Sequence, residues 1–137
     1  MDVQNTVMKT VNYIEKNLYN EINLDEISDA VNYSKFHLNR LFADRVGLTI
    51  YKYVQMRRLT EAARKLIKTD MPIVEIAMEA NYNSQQAFTL AFKQVYIYTP
   101  QVYRAMGVFV PKQNRFSMNS RRMSQQNIFT KCGVMAA

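Results

Sequence analysis

Thr49-Ile50-Tyr51-Lys52-Tyr53-Val54-Gln55-Met56-Arg57-Arg58-Leu59-Thr60-Glu61-Ala62-Ala63-Arg64-Lys65-Leu66-Ile67-Lys68 decides how the rest of the chain is read. Apolar residues recur at Ile50, Tyr53 and Val54, then at Leu59, Ala62, Ala63, Leu66 and Ile67. That is the 3.6-residue spacing of a helix, with Thr49 as its N-cap and no Gly or Pro inside it. At about 1.5 Å per residue the helix is roughly 28 Å long. This approaches the roughly 34 Å of one turn of duplex DNA once the width of whatever flanks the helix is added. The stretch reads as a stiff spacer.

The flanks are two copies of one pattern. Ile27-Ser28-Asp29-Ala30-Val31-Asn32-Tyr33 is echoed by Ile76-Ala77-Met78-Glu79-Ala80-Asn81-Tyr82, 49 positions on. After a one-residue slip at Asn83 the offset becomes 50, pairing Phe42 with Phe92, Thr49 with Thr99 and Tyr53 with Tyr103. A fixed offset implies a repeated supersecondary unit.

In each unit the pattern is helix, tight turn, helix. Asn23-Leu24-Asp25-Glu26 opens the first with a capping-box variant, and Asn32 ends that helix where a left-handed residue is needed. Asn81 takes the same part in the second unit. Ser34 and Ser84 are the N-caps of the helices that follow, from Lys35 to Val46 and from Gln85 to Val95. Two helices joined this way form a helix-turn-helix. Val7, Val11, Ile14 and Leu18 mark an amphipathic helix ahead of the first unit. Pro72 opens the fifth helix, and Thr99-Pro100 a last one that ends near Gly107. The fold class is therefore all-α: two helix-turn-helix subdomains, residues 1–48 and 69–107, joined by the linker helix 49–68. Residues 108–137 are expected to be a basic, flexible tail, because periodicity stops and Ser, Asn, Gln and Arg accumulate.

Charge points to a polyanionic partner. The net charge is +7, and residues 80 to 137 carry seven Lys and Arg with no Asp or Glu, so the first 79 residues hold a balanced eleven of each sign. Such a basic half attracts nucleic acid. One cysteine, Cys132, and one histidine, His37, leave no disulfide and no zinc spacing, so no cofactor or metal is expected. No segment is long and apolar enough to span a membrane and the N-terminus lacks a leader pattern, so a soluble, cytoplasmic protein without membrane partners is expected.

The outward faces of the second helix of each unit carry Phe36, Asn39, Arg40 and Ala43, and Gln85, Gln86, Thr89, Leu90 and Lys93. Arg pairs with guanine edges, Asn or Gln with adenine, and an exposed Phe can touch a thymine methyl. Thr49 and Thr99 begin helices, where free N–H groups favour a phosphate. Arg115, Arg121, Arg122 and Lys131 add non-specific attraction.

From Val7 to Met106 the chain resembles the DNA-binding region of the AraC/XylS family of regulators, in particular its small stand-alone activators. The resemblance is carried by Asn32-Tyr33-Ser34-Lys35-Phe36-His37-Leu38-Asn39-Arg40-Leu41-Phe42, by Arg58-Leu59-Thr60-Glu61-Ala62-Ala63-Arg64-Lys65-Leu66, by Ile76-Ala77, and by Ser84-Gln85-Gln86 through Phe92-Lys93 to Thr99-Pro100-Gln101-Val102-Tyr103-Arg104. It implies about seven helices, one protomer reading two successive major grooves as a monomer, and activation through contact with RNA polymerase. It assigns base reading to Phe36, Asn39 and Arg40 in the first unit and to Gln85, Gln86 and Thr89 in the second. The phosphate contacts expected are Ser34, Lys35, Thr49, Arg57, Ser84, Lys93, Thr99 and Arg104. Three positions depart from the family pattern. Leu90 stands where Arg is usual, so a guanine or phosphate contact is missing; Ile97 stands where many members have Gly, so a left-handed turn is not expected there; Asn32 mildly replaces Gly.

Other readings compete. The basic half could make a less specific nucleic-acid binder, the chain could be the DNA-binding piece of a larger ligand-sensing regulator, or it could be an adaptor that binds RNA polymerase without DNA. An enzyme is the weakest, for there is no phosphate loop, and His37 has no Ser or Cys partner in its motif.

Overall fold

The computed structural model describes residues 3–117. Arg121, Arg122, Lys131 and Cys132 lie outside them. The described chain holds seven helices: α1 (Val3–Lys16), α2 (Leu24–Val31), α3 (Lys35–Val46), α4 (Ile50–Lys68), α5 (Ile73–Glu79), α6 (Gln85–Tyr96) and α7 (Pro100–Met106). The all-α expectation and the two helix-turn-helix units are both met.

The spacer helix α4 is unbroken over 19 residues, and the Thr49 hydroxyl accepts the Lys52 N–H at its start. Its buried stripe changes ownership halfway. Ile50, Tyr53 and Val54 enter a core with Val7, Val11 and Ile14 of α1, Ile27 and Val31 of α2, and Leu38, Phe42 and Val46 of α3. Leu59, Ala62, Ala63 and Leu66 enter a second core with α5, α6 and Tyr103 of α7. Each large apolar side chain so buried is worth about 1.5–3 kcal/mol. α4 is thus less a linker between two domains than a member of both.

The sequence repeat is a structural repeat. Phe42 meets Tyr53 edge-on at 5.4 Å and 70°, and their counterparts Phe92 and Tyr103 meet at 5.4 Å and 73°. Asn32 and Asn81 both have positive φ, 59° and 71°. Behind them the Tyr33 N–H donates to the Ser28 carbonyl and the Tyr82 N–H to the Ala77 carbonyl. Both turns therefore close with one backbone geometry, which Asn tolerates better than other non-glycine residues.

Two expectations are corrected. Ile97 does adopt positive φ, at 76°, and its N–H donates to the Lys93 carbonyl as the Gly47 N–H donates to Ala43. The β-branched residue is tolerated because the turn must release the chain from α6 at the same point, with Tyr96 and Pro100 both buried on either side of it.

The second correction concerns residues 108–117, which are not a loose tail. Gly107 caps α7 in the left-handed region and turns the chain back along α4. Phe109 packs on the second core and Phe116 on the first. The Val110 N–H donates to Tyr103 Oη and its carbonyl accepts from Tyr96 Oη, both at 2.8 Å. The Gln113 N–H then donates to Thr60 Oγ1 at 3.0 Å, and the Phe116 N–H to Tyr53 Oη at 3.0 Å. These ten residues form a strap from one core to the other, reaching α1 where Arg115 donates to Asn12.

Candidate nucleic-acid interface

Leu38, Phe42 and Val46 turn α3 inward, so the opposite face must meet solvent. Phe36 is 75% exposed there and Arg40 is exposed. Lys35 pairs with Asp25 at 2.9 Å and lies over the Phe36 ring. On α6, Phe88, Phe92 and Tyr96 turn inward and leave Gln85, Gln86 and Lys93 exposed, with Thr89 half-buried. Leu90 stays 62% exposed. Four of the six expected base readers, Phe36, Arg40, Gln85 and Gln86, are thus exposed on open helix faces, and the equivalent pair Asn39 and Thr89 are half-buried.

Asn39 has a structural job. Its Oδ1 accepts the Ile50 N–H at 3.1 Å, and the residue is half-buried. The first N–H groups of a helix lack intrahelical partners. Thr49 serves Lys52 and Asn39 serves Ile50, so the Oδ1 of the amide that was expected to grip an adenine also serves the start of α4.

Two of the expected phosphate ligands are also structural. Arg57 is only 6% exposed. Its Nε and Nη2 donate to the Glu15 carboxylate at 2.8 and 3.0 Å, and its Nη1 donates to Glu61 at 3.1 Å and to the Gln113 carbonyl at 2.9 Å. Burial works against its charge, but the hydrogen bond and charge of Glu15, with Glu61 beside them, hold its pKa above the ordinary value. The sequence holds a clue to this, because Arg57 stands four residues after Tyr53 and three before Thr60 on the buried stripe, with Glu61 one turn on. Arg104 is likewise committed, donating to the carbonyls of Leu66 at 2.8 Å, Thr69 at 3.3 Å and Met71 at 2.7 Å. It closes the C-terminal end of α4. Arg58 does the same for the chain leaving α1, donating to the Leu18 carbonyl at 2.8 Å.

The remaining expected phosphate contacts flank the two open faces. Ser34 is exposed and its side chain makes no capping bond, although it sits at the N-cap position. Ser84 is exposed and accepts the Ala87 N–H at 3.1 Å. Thr49 is exposed, whereas Thr99 is half-buried and accepts the Val102 N–H. None of the seven Lys and Arg from residue 80 onward faces an acidic neighbour in sequence, since no acid occurs there.

Both units meet the same stripe of α4. A groove of about 90 Å³ runs between Ile22, Leu24, Ile27 and Asn39 of the first unit and Tyr51, Val54 and Arg58 of α4. A second, of about 100 Å³, runs between those same three residues and Ala80, Asn81 and Tyr82 of the second unit. Gln55 of α4 lines this second groove beside Tyr82. The turn that launches α6 therefore lies one helical turn along α4 from the residue of α3 that caps it. Among the described residues no helix is long and apolar enough to cross a membrane, and no group of three acidic, His or Cys side chains could hold a metal.

Comparison with known proteins agrees with this architecture. The model of a family described as a helix-turn-helix domain matches residues 27–106, from α2 to the end of α7. An uncharacterised HTH-type transcriptional regulator, YbfP of Bacillus subtilis (strain 168), is 37% identical over 122 residues, which are 88% of this chain and 41% of that protein. The chain thus spans less than half the length of that relative. The HTH-type transcriptional activator AarP of Providencia stuartii is 38% identical over 92 residues, 67% of this chain and 68% of that one. The crystal structure of a transcriptional regulator from Chromobacterium violaceum, of the group with AraC-type DNA-binding domains, superposes with a TM-score of 0.72 at 28% identity, covering 77% of this chain and 94% of that one. A doubled helix-turn-helix on a shared central helix, matched by family model, sequence and fold alike, places the chain in the AraC-type family of helix-turn-helix transcriptional regulators.

Proposed function

We propose that this chain is a sequence-specific transcriptional activator that binds duplex DNA as a monomer, with α3 and α6 in successive major grooves. The observation that carries the reading is the seating of both units against one stripe of an unbroken α4. A flexible join would let the two helices bind independently, whereas a shared rod fixes their spacing before binding and spares that ordering cost. Base reading falls to Phe36, Arg40, Gln85, Gln86 and Thr89, with Ser34, Lys35, Thr49, Ser84 and Lys93 on the phosphates. The activator AarP, similar over two thirds of this chain, supports activation over repression, and the protein partner proposed for that activation is RNA polymerase, met in the cytoplasm.

The test begins with selection of bound duplexes from a random pool, which should return two tracts about ten base pairs apart. Arg40→Ala and Gln86→Ala should each weaken the selected duplex by about 1–3 kcal/mol and leave random duplex nearly unchanged. Equal losses on both duplexes would defeat the assignment and leave a general, salt-sensitive binder.

A further inference from the structure

Leu90 has no folding reason to stand where it does. α6 buries Phe88, Phe92 and Tyr96. On a wheel of 100° per residue their mean direction lies nearly opposite Leu90, which is the centre of the outward face. The side chain is 62% exposed and belongs to neither core. Gln86 lies one turn before it on the same face and is exposed too.

The repeat sharpens the point. At the offset of 50, Leu90 occupies the place of Arg40, and Gln86 the place of Phe36. Each outward face therefore carries one apolar and one polar side chain at the same two positions, in opposite order. Phe36 leads and Arg40 follows on α3; Gln86 leads and Leu90 follows on α6. The only apolar group that unmodified DNA offers in the major groove is the thymine C5-methyl.

We infer that Leu90 is a specificity residue of α6 that reads a thymine methyl group, so that the second tract pairs an adenine read by Gln86 with a thymine read by Leu90. The inference rests on the placement of α6 proposed above. It adds to the expectation that a guanine or phosphate contact is missing here, because a preference for guanine is exchanged for a preference for thymine. The guanine requirement then stays with Arg40 in the first tract.

Replacing thymines of the second tract one at a time by uracil removes the methyl and leaves every hydrogen-bonding edge intact. The wild-type chain should lose about fourfold in affinity at one such position, the effect expected for one methyl-sized apolar contact. L90A, a substitution on the exposed face, should bind the thymine duplex about fourfold more weakly than wild type and should no longer distinguish uracil from thymine. A wild-type chain indifferent to uracil throughout that tract overturns the inference, as does an L90A chain that keeps the full uracil penalty. Q86A on the same duplexes separates the two ways to fail. If it weakens the selected duplex and not random duplex while uracil has no effect, α6 is in the groove and Leu90 reads nothing; if it weakens both alike, the placement of α6 falls and the inference with it.

Discussion

The first and second helix-turn-helix units share a backbone and differ in how side chains hold it. In the first, Asn39 satisfies the Ile50 N–H. In the second, Thr89 takes the place of Asn39 and Pro100 that of Ile50, and proline has no N–H to satisfy. The first leaves its recognition helix through Gly47 and the second through Ile97, both at positive φ. After its last turn the first unit runs on as α4, while the second stops at Gly107 and returns as the strap. The difference teaches that a position in the repeat conserves geometry and not duty. Asn39 and Thr89 are equivalent by offset, yet only Asn39 holds the start of the helix that follows.

Several substitutions would break or sharpen that comparison. Arg57 joins α1, α4 and the strap, so Arg57→Ala leaves Glu15 largely buried without its cation and Glu61 with Arg64 alone, and should cost about 3 kcal/mol. Denaturant titration measures this. The salt dependence of DNA binding by the folded variant should keep the wild-type slope, whereas a lost phosphate contact would lower it.

Alkaline pH tests the core end of the strap. Burial pushes Tyr53 up to about 12 from its ordinary 10, despite the Phe116 N–H that lowers it. A folded-state pKa raised in this way stabilises the fold fully below pH 10, and that contribution is lost as pH rises through 12. Wild type should therefore lose on the order of 2 kcal/mol across that window relative to Tyr53→Phe, read from the difference in their pH–stability curves.

The two exits from the recognition helices should respond with opposite signs. A Cβ added at Gly47 would meet nothing within 4 Å, so Gly47→Ala carries only the backbone penalty of a left-handed residue, about 1 kcal/mol. Ile97→Gly should raise stability by about the same amount, since it removes that penalty. Thermal melts of both variants check the pair. Asn39→Ala should cost somewhat less than 1 kcal/mol through the orphaned Ile50 N–H, with Thr89→Ala within about 0.5 kcal/mol of wild type. If Thr89→Ala proved the more destabilising of the two, the division of labour described here would be wrong.

Much of this was legible in the chain. The helices, the repeat and its slip at Asn83, the left-handed asparagines and the outward faces all follow from local periodicity and capping, which depend on neighbours within a few positions. What escaped depends on contacts between distant segments. Arg104 looks like a surface cation, and the partners of Arg57 stay hidden despite its place on the buried stripe, until the carbonyls ending α4 and Glu15, 42 residues from Arg57, are brought beside them. Residues 108–117 have no period because the strap is held by hydroxyls of Tyr53, Thr60, Tyr96 and Tyr103 and by two aromatic anchors rather than by a helix. Phe109 and Phe116 were the sequence's only hint of it. At Ile97 the residue type argued against the turn, and tertiary packing overrode that preference.

A helix held in common by two cores has a thermodynamic corollary. Neither lobe can melt without stripping half the apolar stripe from α4, and the strap ties whatever remains to the other side. Opening should therefore be all-or-none across the molecule, with a single denaturation transition, and the most slowly exchanging amides should sit at mid-rod around Arg57 to Ala63 rather than at the centre of either lobe.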